Sequence, residues 1–314
     1  MAIIAVAGGT GNVGRAIVDA ILATRKHQVF ILSRKANAAL SAEIGATILA
    51  VDYTSIPSIV SVLEANNIDT VISGIAMHSE DGSTPNEIEL IRAADASKTT
   101  KRMISSEWGI PVKEENVGAI PSVLHKLNAK NELAKTTSLE YTSFHNGYFM
   151  DYWGFQGVSS YLSRVPLVFW VDIANNKAAI PGSGNTPIVF THTTDVAKFV
   201  AASLDLPKWE NETFIRGDTV TWNEFVKLAE EVKGTKFEVV YDDVEQLKRG
   251  ESSELPAQVP LYQFIPKQFL SGMAAAMGLW TDQGLFDMKP EKWLNEEVEI
   301  ETLKVKEMLE KAWK

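Results

Sequence analysis

Cysteine is missing from all 314 residues, which excludes disulfide bridges, thiol catalysis and thiolate metal sites. Histidine is scarce: five residues lie scattered with no HExxH or comparable spacing, so no metal site is predicted. No uninterrupted apolar stretch reaches the roughly 18 residues of a membrane span, and the first residues read as a strand rather than a basic-then-apolar leader. A cytoplasmic location without a membrane partner is therefore expected. Positive charge is in deficit as well, with 30 Lys and Arg against 40 Asp and Glu, a net charge of −10. That balance argues against a general affinity for nucleic acid.

What is present concentrates near the start. The apolar run Ile3-Ile4-Ala5-Val6-Ala7 leads into Gly8-Gly9-Thr10-Gly11-Asn12-Val13-Gly14, and Arg15 to Leu22 has helical character. Strand, glycine turn and helix N-terminus in that order make a phosphate site: the glycines allow a tight turn and close backbone approach, and the unpaired N–H groups of the helix face the anion. Gly8, Thr10, Gly11, Asn12, Val13 and Gly14 are thus candidate dinucleotide ligands. The second strand, Gln28 to Leu32, ends in Ser33-Arg34-Lys35. The acidic residue that would accept the ribose hydroxyls of NAD is lacking there. A hydroxyl, a planar guanidinium and an ammonium suit a 2′-phosphate instead, so the expected cofactor is NADP(H).

Strand and helix signals alternate through the first half, as in an α/β, Rossmann-like doubly wound parallel sheet. Further strands are expected at residues 46–51, 70–73, 102–105 and 141–144, with helices at 56–65, 87–97 and 122–135. Loops at the carboxyl ends of such strands line the ligand crevice, which adds Asp52, Tyr53, Gly74, Ser106, Glu107, Asn146, Gly147 and Phe149 to the cofactor candidates. Residues 1–152 read as the dinucleotide-binding domain, with return segments near 189–217; 153–188 and 218–314 read as a smaller α+β C-terminal substrate lobe. Thr193-Thr194-Asp195 offer N-caps for a helix to Leu204, with His192 and Asp195 anchoring it. Thr221 heads a helix through Lys233 with Glu224 at capping-box spacing. Residues 299–313 read as one amphipathic helix.

The glycines, Ser33-Arg34-Lys35 and Ser105-Ser106-Glu107-Trp108-Gly109 together resemble the NmrA-like group of atypical short-chain dehydrogenases, including isoflavone-reductase-like enzymes, in its fungal form. Those relatives carry Ser-Glu-Phe-Gly after the fifth strand, and here Trp108 replaces the Phe. Leu139 to Phe149 resembles the family's sixth strand and the loop beside the nicotinamide. The helix between strands five and six has no Tyr-x-x-x-Lys pair. The resemblance implies instead a lysine on that helix that fixes the nicotinamide ribose and serves as proton source or stabiliser. Lys126 fits the family's spacing to Leu133, whereas Lys130 fits an ungapped count back from Tyr141. His125, beside Lys126, is a further proton-donor candidate. Trp108, Tyr148, Trp153 and Trp170 are candidate contacts for a flat, apolar substrate, a role that core packing competes for. The reading is a reductase of a small aromatic or unsaturated secondary metabolite. Its rivals are an NADP-binding regulator that contacts a protein partner without turnover, and a non-redox isomerase or cyclase on the same fold.

Overall fold

The computed structural model describes residues 1–77, 86–118, 120–162 and 169–314; residues 163–168 of the aromatic segment lie outside these. In chain order the elements are β1 (Ile3–Ala7), α1 (Asn12–Thr24), β2 (Gln28–Ser33), α2 (Ala38–Ile44), β3 (Thr47–Ala50), α3 (Ile56–Ala65), β4 (Thr70–Ser73) and α4 (Glu87–Ala96). There follow β5 (Arg102–Gly109), α5 (Pro121–Leu133), β6 (Glu140–His145), β7 (Tyr148–Phe149), β8 (Val171–Asp172), β9 (Lys177–Pro181), β10 (Ile188–Thr191) and α6 (Thr193–Ser203). The chain ends with β11 (Glu212–Phe214), β12 (Asp218–Val220), α7 (Trp222–Lys233), β13 (Glu238–Asp242), α8 (Val244–Lys248), α9 (Lys267–Asp282) and α10 (Val305–Trp313).

Seven strands pair in parallel in the order β11-β6-β5-β4-β1-β2-β3. The order reverses beside β1, and that is where ligands enter sheets of this kind. Alternation along β1 serves both faces. Ile4 and Val6 pack with Ile17 and Ile21 of α1 and Phe199 and Val200 of α6, whereas Ala5 and Ala7 meet Ile59 and Leu63 of α3 and Leu90 of α4. Side chains two residues apart share a face of a strand, so one short apolar run anchors both helical layers.

Two three-stranded sheets, β12-β10-β7 and β13-β9-β8, stand beside the large one. They share a third core with α7, α9 and α10, where Trp153, Trp170, Phe190, Trp222 and Phe225 interlock. Ring centroids there are 5.1 Å apart for Trp170 and Trp222 and 5.3 Å for Trp153 and Phe225, within the range in which aromatic pairs add about 1 kcal/mol each beyond their burial.

Several elements depart from expectation. The sequence reading contained neither α2 nor α9. The helix expected over 299–313 begins only at Val305. Before it the chain is pinned outstretched: the Leu303 N–H donates to Asp195 Oδ2 at 2.8 Å and the Thr302 hydroxyl to the Gly217 carbonyl at 2.8 Å. Tertiary partners thus claim polar groups that a helix would have used internally. His192 is the N-cap of α6, accepting from the Thr194 N–H at 3.3 Å. At α7 the Thr221 and Glu224 capping box forms as expected.

Candidate active site

The candidate phosphate cradle is built from backbone. Gly8 adopts φ +71°, and a Cβ on Gly14 would fall 2.4 Å from the Gly8 carbonyl oxygen; the turn and α1 therefore meet with no room for side chains. Gly11 differs, since nothing lies within 4 Å of where its Cβ would stand. Thr10, Gly11 and Asn12 are exposed, and Val13 is buried beneath them. The first turn of α1 has neither a side-chain cap nor an acidic residue. Its free N–H groups and the positive end of the helix dipole favour an anion laid over Gly11.

Across β1, the half-buried Ser33 closes β2, and Arg34 and Lys35 project into solvent. Neither forms an ion pair among the described residues. Asp52 is exposed and committed to a local turn, accepting from the Thr54 N–H at 2.9 Å and hydroxyl at 2.7 Å, which holds its carboxyl below the usual range. The buried Tyr53 donates its hydroxyl to the Leu32 carbonyl at 3.0 Å. Burial first, then the charge of Glu87, raises its phenol pKa.

The opposite end of the crevice is assembled from side chains. After Ser105 the ladder of β5 with β6 breaks and resumes at Gly109 opposite His145, and within the break Trp108 takes the left-handed φ of +22°. This bulge is fastened at several points. The Ser106 hydroxyl donates to the Ile75 carbonyl at 2.7 Å, the Trp108 indole N–H to the Ser73 carbonyl at 3.0 Å, and the Lys126 ammonium to the Glu107 carbonyl. Lys126 Nζ also stands 3.7 Å from Glu107 Oε1. Asn146 is fully buried, and its N–H donates to the Gly109 carbonyl at 2.9 Å. Two buried acceptors there, Glu107 Oε1 and Asn146 Oδ1, have no hydrogen-bond partner. Unpaired buried polar atoms are costly, and here both belong to groups beside the crevice end.

Lys126 and Lys130 share α5 but part company. The Lys126 side chain is 16% exposed and reaches the bulge, whereas Lys130 is 52% exposed and pairs at 2.6 Å with Glu212 on the sheet's outer strand. One helical turn beyond Lys126, Lys130 thus presents its amine at the sheet edge and away from the bulge.

The aromatic candidates also separate. Trp108 belongs to the bulge. Tyr148 and Trp170 are buried in the third core with ring centroids 5.6 Å apart; Trp170 exposes no surface, so its expected substrate contact gives way to packing. Trp153 lines a cavity of about 550 Å³ with Tyr152, Phe155 and Trp313. Phe149 is half-buried against the α1 and α6 layer. Gly74 is wedged where a Cβ would sit 2.9 Å from Gly14 Cα, and Gly147, at φ +69°, where one would sit 2.2 Å from the Val189 carbonyl oxygen. Both glycines let backbones meet.

Sequence reasoning missed Glu87. At the first position of α4 it reads as a residue favouring a helix dipole; in the structure it is buried beneath the bulge.

Residues 2–310 match the NmrA-like family. The chain belongs to that family. It is 42% identical over 234 residues to Oxidoreductase BOA1 of Botryotinia fuckeliana, covering 74% of this chain and 77% of that one. To Oxidoreductase swnN of Metarhizium robertsii it is 30% identical over 284 residues, covering 84% and 83%. Among solved structures, the binary complex of leucoanthocyanidin reductase with NADPH from Vitis vinifera superposes with a TM-score of 0.73 at 18% identity, covering 98% of both chains. Among the described residues no three His, Asp or Glu converge as a metal site, and no helix is long and apolar enough to cross a membrane.

Proposed function

We propose that this NmrA-like chain is an NADP-dependent oxidoreductase of the isoflavone-reductase-like type that reduces a small aromatic or unsaturated molecule. The observation that carries this reading is the presence, at the carboxyl ends of strands of one sheet, of an anion cradle at Gly8–Asn12, flanked by the cations Arg34 and Lys35, and of the partly enclosed ammonium of Lys126 held on the β5 bulge. The names of the oxidoreductase relatives and of the NADPH-bound structural neighbour support it.

Gly11, Asn12 and the open first turn of α1 would hold the pyrophosphate, and Arg34 with Ser33 and Lys35 the 2′-phosphate. The orphaned acceptors of Asn146 and Glu107 suit amide or hydroxyl donors at the nicotinamide end. Bound there, the reduced nicotinamide supplies the hydride. Lys126 gives one N–H to the Glu107 carbonyl, which leaves two of its three donors. One would hold a ribose hydroxyl, and the other would stabilise or protonate the oxygen on which negative charge develops. The Glu107 carboxylate stands beside it, with Oε1 3.7 Å from Nζ. With its side chain only 16% exposed, the ammonium sits in a medium where that charge acts more strongly than in water.

Calorimetric titration with NADPH and NADH, followed by a screen of aromatic ketones, quinones and enones for NADPH consumption, tests the reading. NADPH should bind at least tenfold tighter, on the order expected for charge-assisted contacts to the extra phosphate. Equal affinity for both, or product formed with NADPH absorbance unchanged, would overturn it in favour of another cofactor or a non-redox reaction.

A further inference from the structure

Glu87 is the one carboxylate that the proposed chemistry leaves unused although it lies directly beneath the site. Its side chain is 1% exposed. Oε2 accepts the Ser73 hydroxyl proton, and Oε1 accepts the Ser106 N–H at 3.0 Å. Ser73 closes β4, and its own carbonyl receives the Trp108 indole N–H at 3.0 Å, while its hydroxyl oxygen accepts from the Ile75 N–H at 3.3 Å. Ser106 opens the bulge of β5 and reaches back to the Ile75 carbonyl. A single carboxylate therefore clasps two strand ends that share no ladder beyond the pairing of Ile72 with Ile104. The bulge it holds contains a tryptophan in a left-handed conformation, which persists only where the surroundings over-determine it. The Lys126 ammonium is anchored on the carbonyl of that same bulge.

We propose that Glu87 is a positioning residue: by fastening the ends of β4 and β5 together it fixes the Ser106–Trp108 bulge and hence the place of Lys126. This rests on the cofactor reading above for its consequence, though not for its geometry. The titratable groups facing Glu87 among the described residues are Glu107 on β5 and Tyr53 from the segment after β3, with Lys126 of α5 one contact further on, beside Glu107. Burial, with a smaller contribution from Glu107, pushes the Glu87 carboxyl up to about 7, against the hydrogen bonds from Ser73 and Ser106 that favour its anion. Either protonation state keeps the clasp, since a protonated Oε2 donates to Ser73 Oγ while Oε1 still accepts from Ser106. What changes near neutrality is the charge beside Trp108 and Glu107.

The test compares the full-length chain with Glu87→Gln and Glu87→Ala, using NADPH and adenosine 2′,5′-bisphosphate, which lacks the nicotinamide half. Glu87→Ala should weaken NADPH by about tenfold or more, the loss expected when hydrogen bonds to a charged group go, and leave the bisphosphate within about twofold. Glu87→Gln should restore NADPH affinity, because its amide accepts from Ser106 and donates to Ser73. The Trp108 contribution to fluorescence, isolated as the difference from Trp108→Phe and read below pH 7, where Glu87 is protonated, should shift in Glu87→Ala and match the parent chain in Glu87→Gln. Equal weakening of both ligands by Glu87→Ala, unchanged NADPH affinity, or Trp108 emission in Glu87→Ala that matches the parent chain would overturn the proposal. If the parent chain binds neither ligand, the cofactor reading fails and the Trp108 emission of Glu87→Ala alone decides whether Glu87 holds the bulge. Should Glu87→Ala not fold, Ser73→Ala, which removes one arm of the clasp, takes its place with the same expected split.

Discussion

The two ends of the crevice are built on different principles. The Gly8–Asn12 end is contiguous backbone with exposed cations beside it, and it stands nearly complete within the first 35 residues. The Lys126 end gathers Ser73, Glu87, Ser106 to Gly109, Lys126 and Asn146 from five segments and buries most of them. A charge in solvent acts weakly and is screened by salt, whereas one enclosed by protein acts strongly and tolerates little displacement. Affinity for the phosphates and control of the reaction are therefore expected to fail in different ways.

The sharpest way to test this contrast is Lys126→Ala. Turnover should fall by about two to four orders of magnitude, the range for loss of a positioned proton donor or charge stabiliser, with NADPH affinity changed only a few-fold; Lys130→Ala should leave turnover within about twofold. Steady-state kinetics and calorimetry on both variants would break the assignment if their roles proved reversed. Next in size is Gly147→Ala, whose new Cβ would meet the Val189 carbonyl oxygen at 2.2 Å in a backbone at φ +69°. A cost of about 3 kcal/mol or more is expected from overpacking plus strain, read as a lower urea midpoint.

Glu87 supplies a pH dependence with a definite sign. Its carboxyl is held at about 7 in the folded chain against an ordinary 4.5, so the folded state keeps a proton that the unfolded chain releases. The stabilising contribution is complete below pH 4.5 and disappears as pH rises through about 7. Relative to the parent, Glu87→Gln should therefore gain up to about 3 kcal/mol between pH 4.5 and 8. Denaturant titrations at both pH values check this, and a parallel response of the two proteins would contradict it. The smallest effect belongs to the exposed end. Arg34→Ala should weaken NADPH by about ten- to a hundredfold and NADH hardly at all, with the difference shrinking as salt is added. Equal loss for both cofactors would remove Arg34 from the 2′-phosphate.

Legibility in the sequence follows the same division. The glycine turn and Ser33-Arg34-Lys35 are local, each a few residues on one strand end, and they follow the carboxyl ends of the neighbouring strands β1 and β2. The choice between Lys126 and Lys130 was not local. They lie four residues apart on one helix, and only the path of β5, with its break after Ser105, brings the first amine to the bulge while β11 captures the second. Trp170 read as readily as a ligand contact as a core residue, because burial depends on what surrounds a ring and not on its neighbours in sequence. Glu87 gave no warning for the same reason: a glutamate opening a helix is ordinary until two strand ends are found closing over it.

The sequence alone determined the alternation of strands and helices, the glycine turn and the charge at the end of β2, because apolar period, glycine sterics and side-chain charge act over a few bonds. Only the tertiary structure decided which lysine reaches the bulge, which aromatics are buried, and that a carboxylate lies beneath the bulge. Those outcomes are contacts between segments far apart in the chain, and they exist only once the sheet has brought its strand ends together.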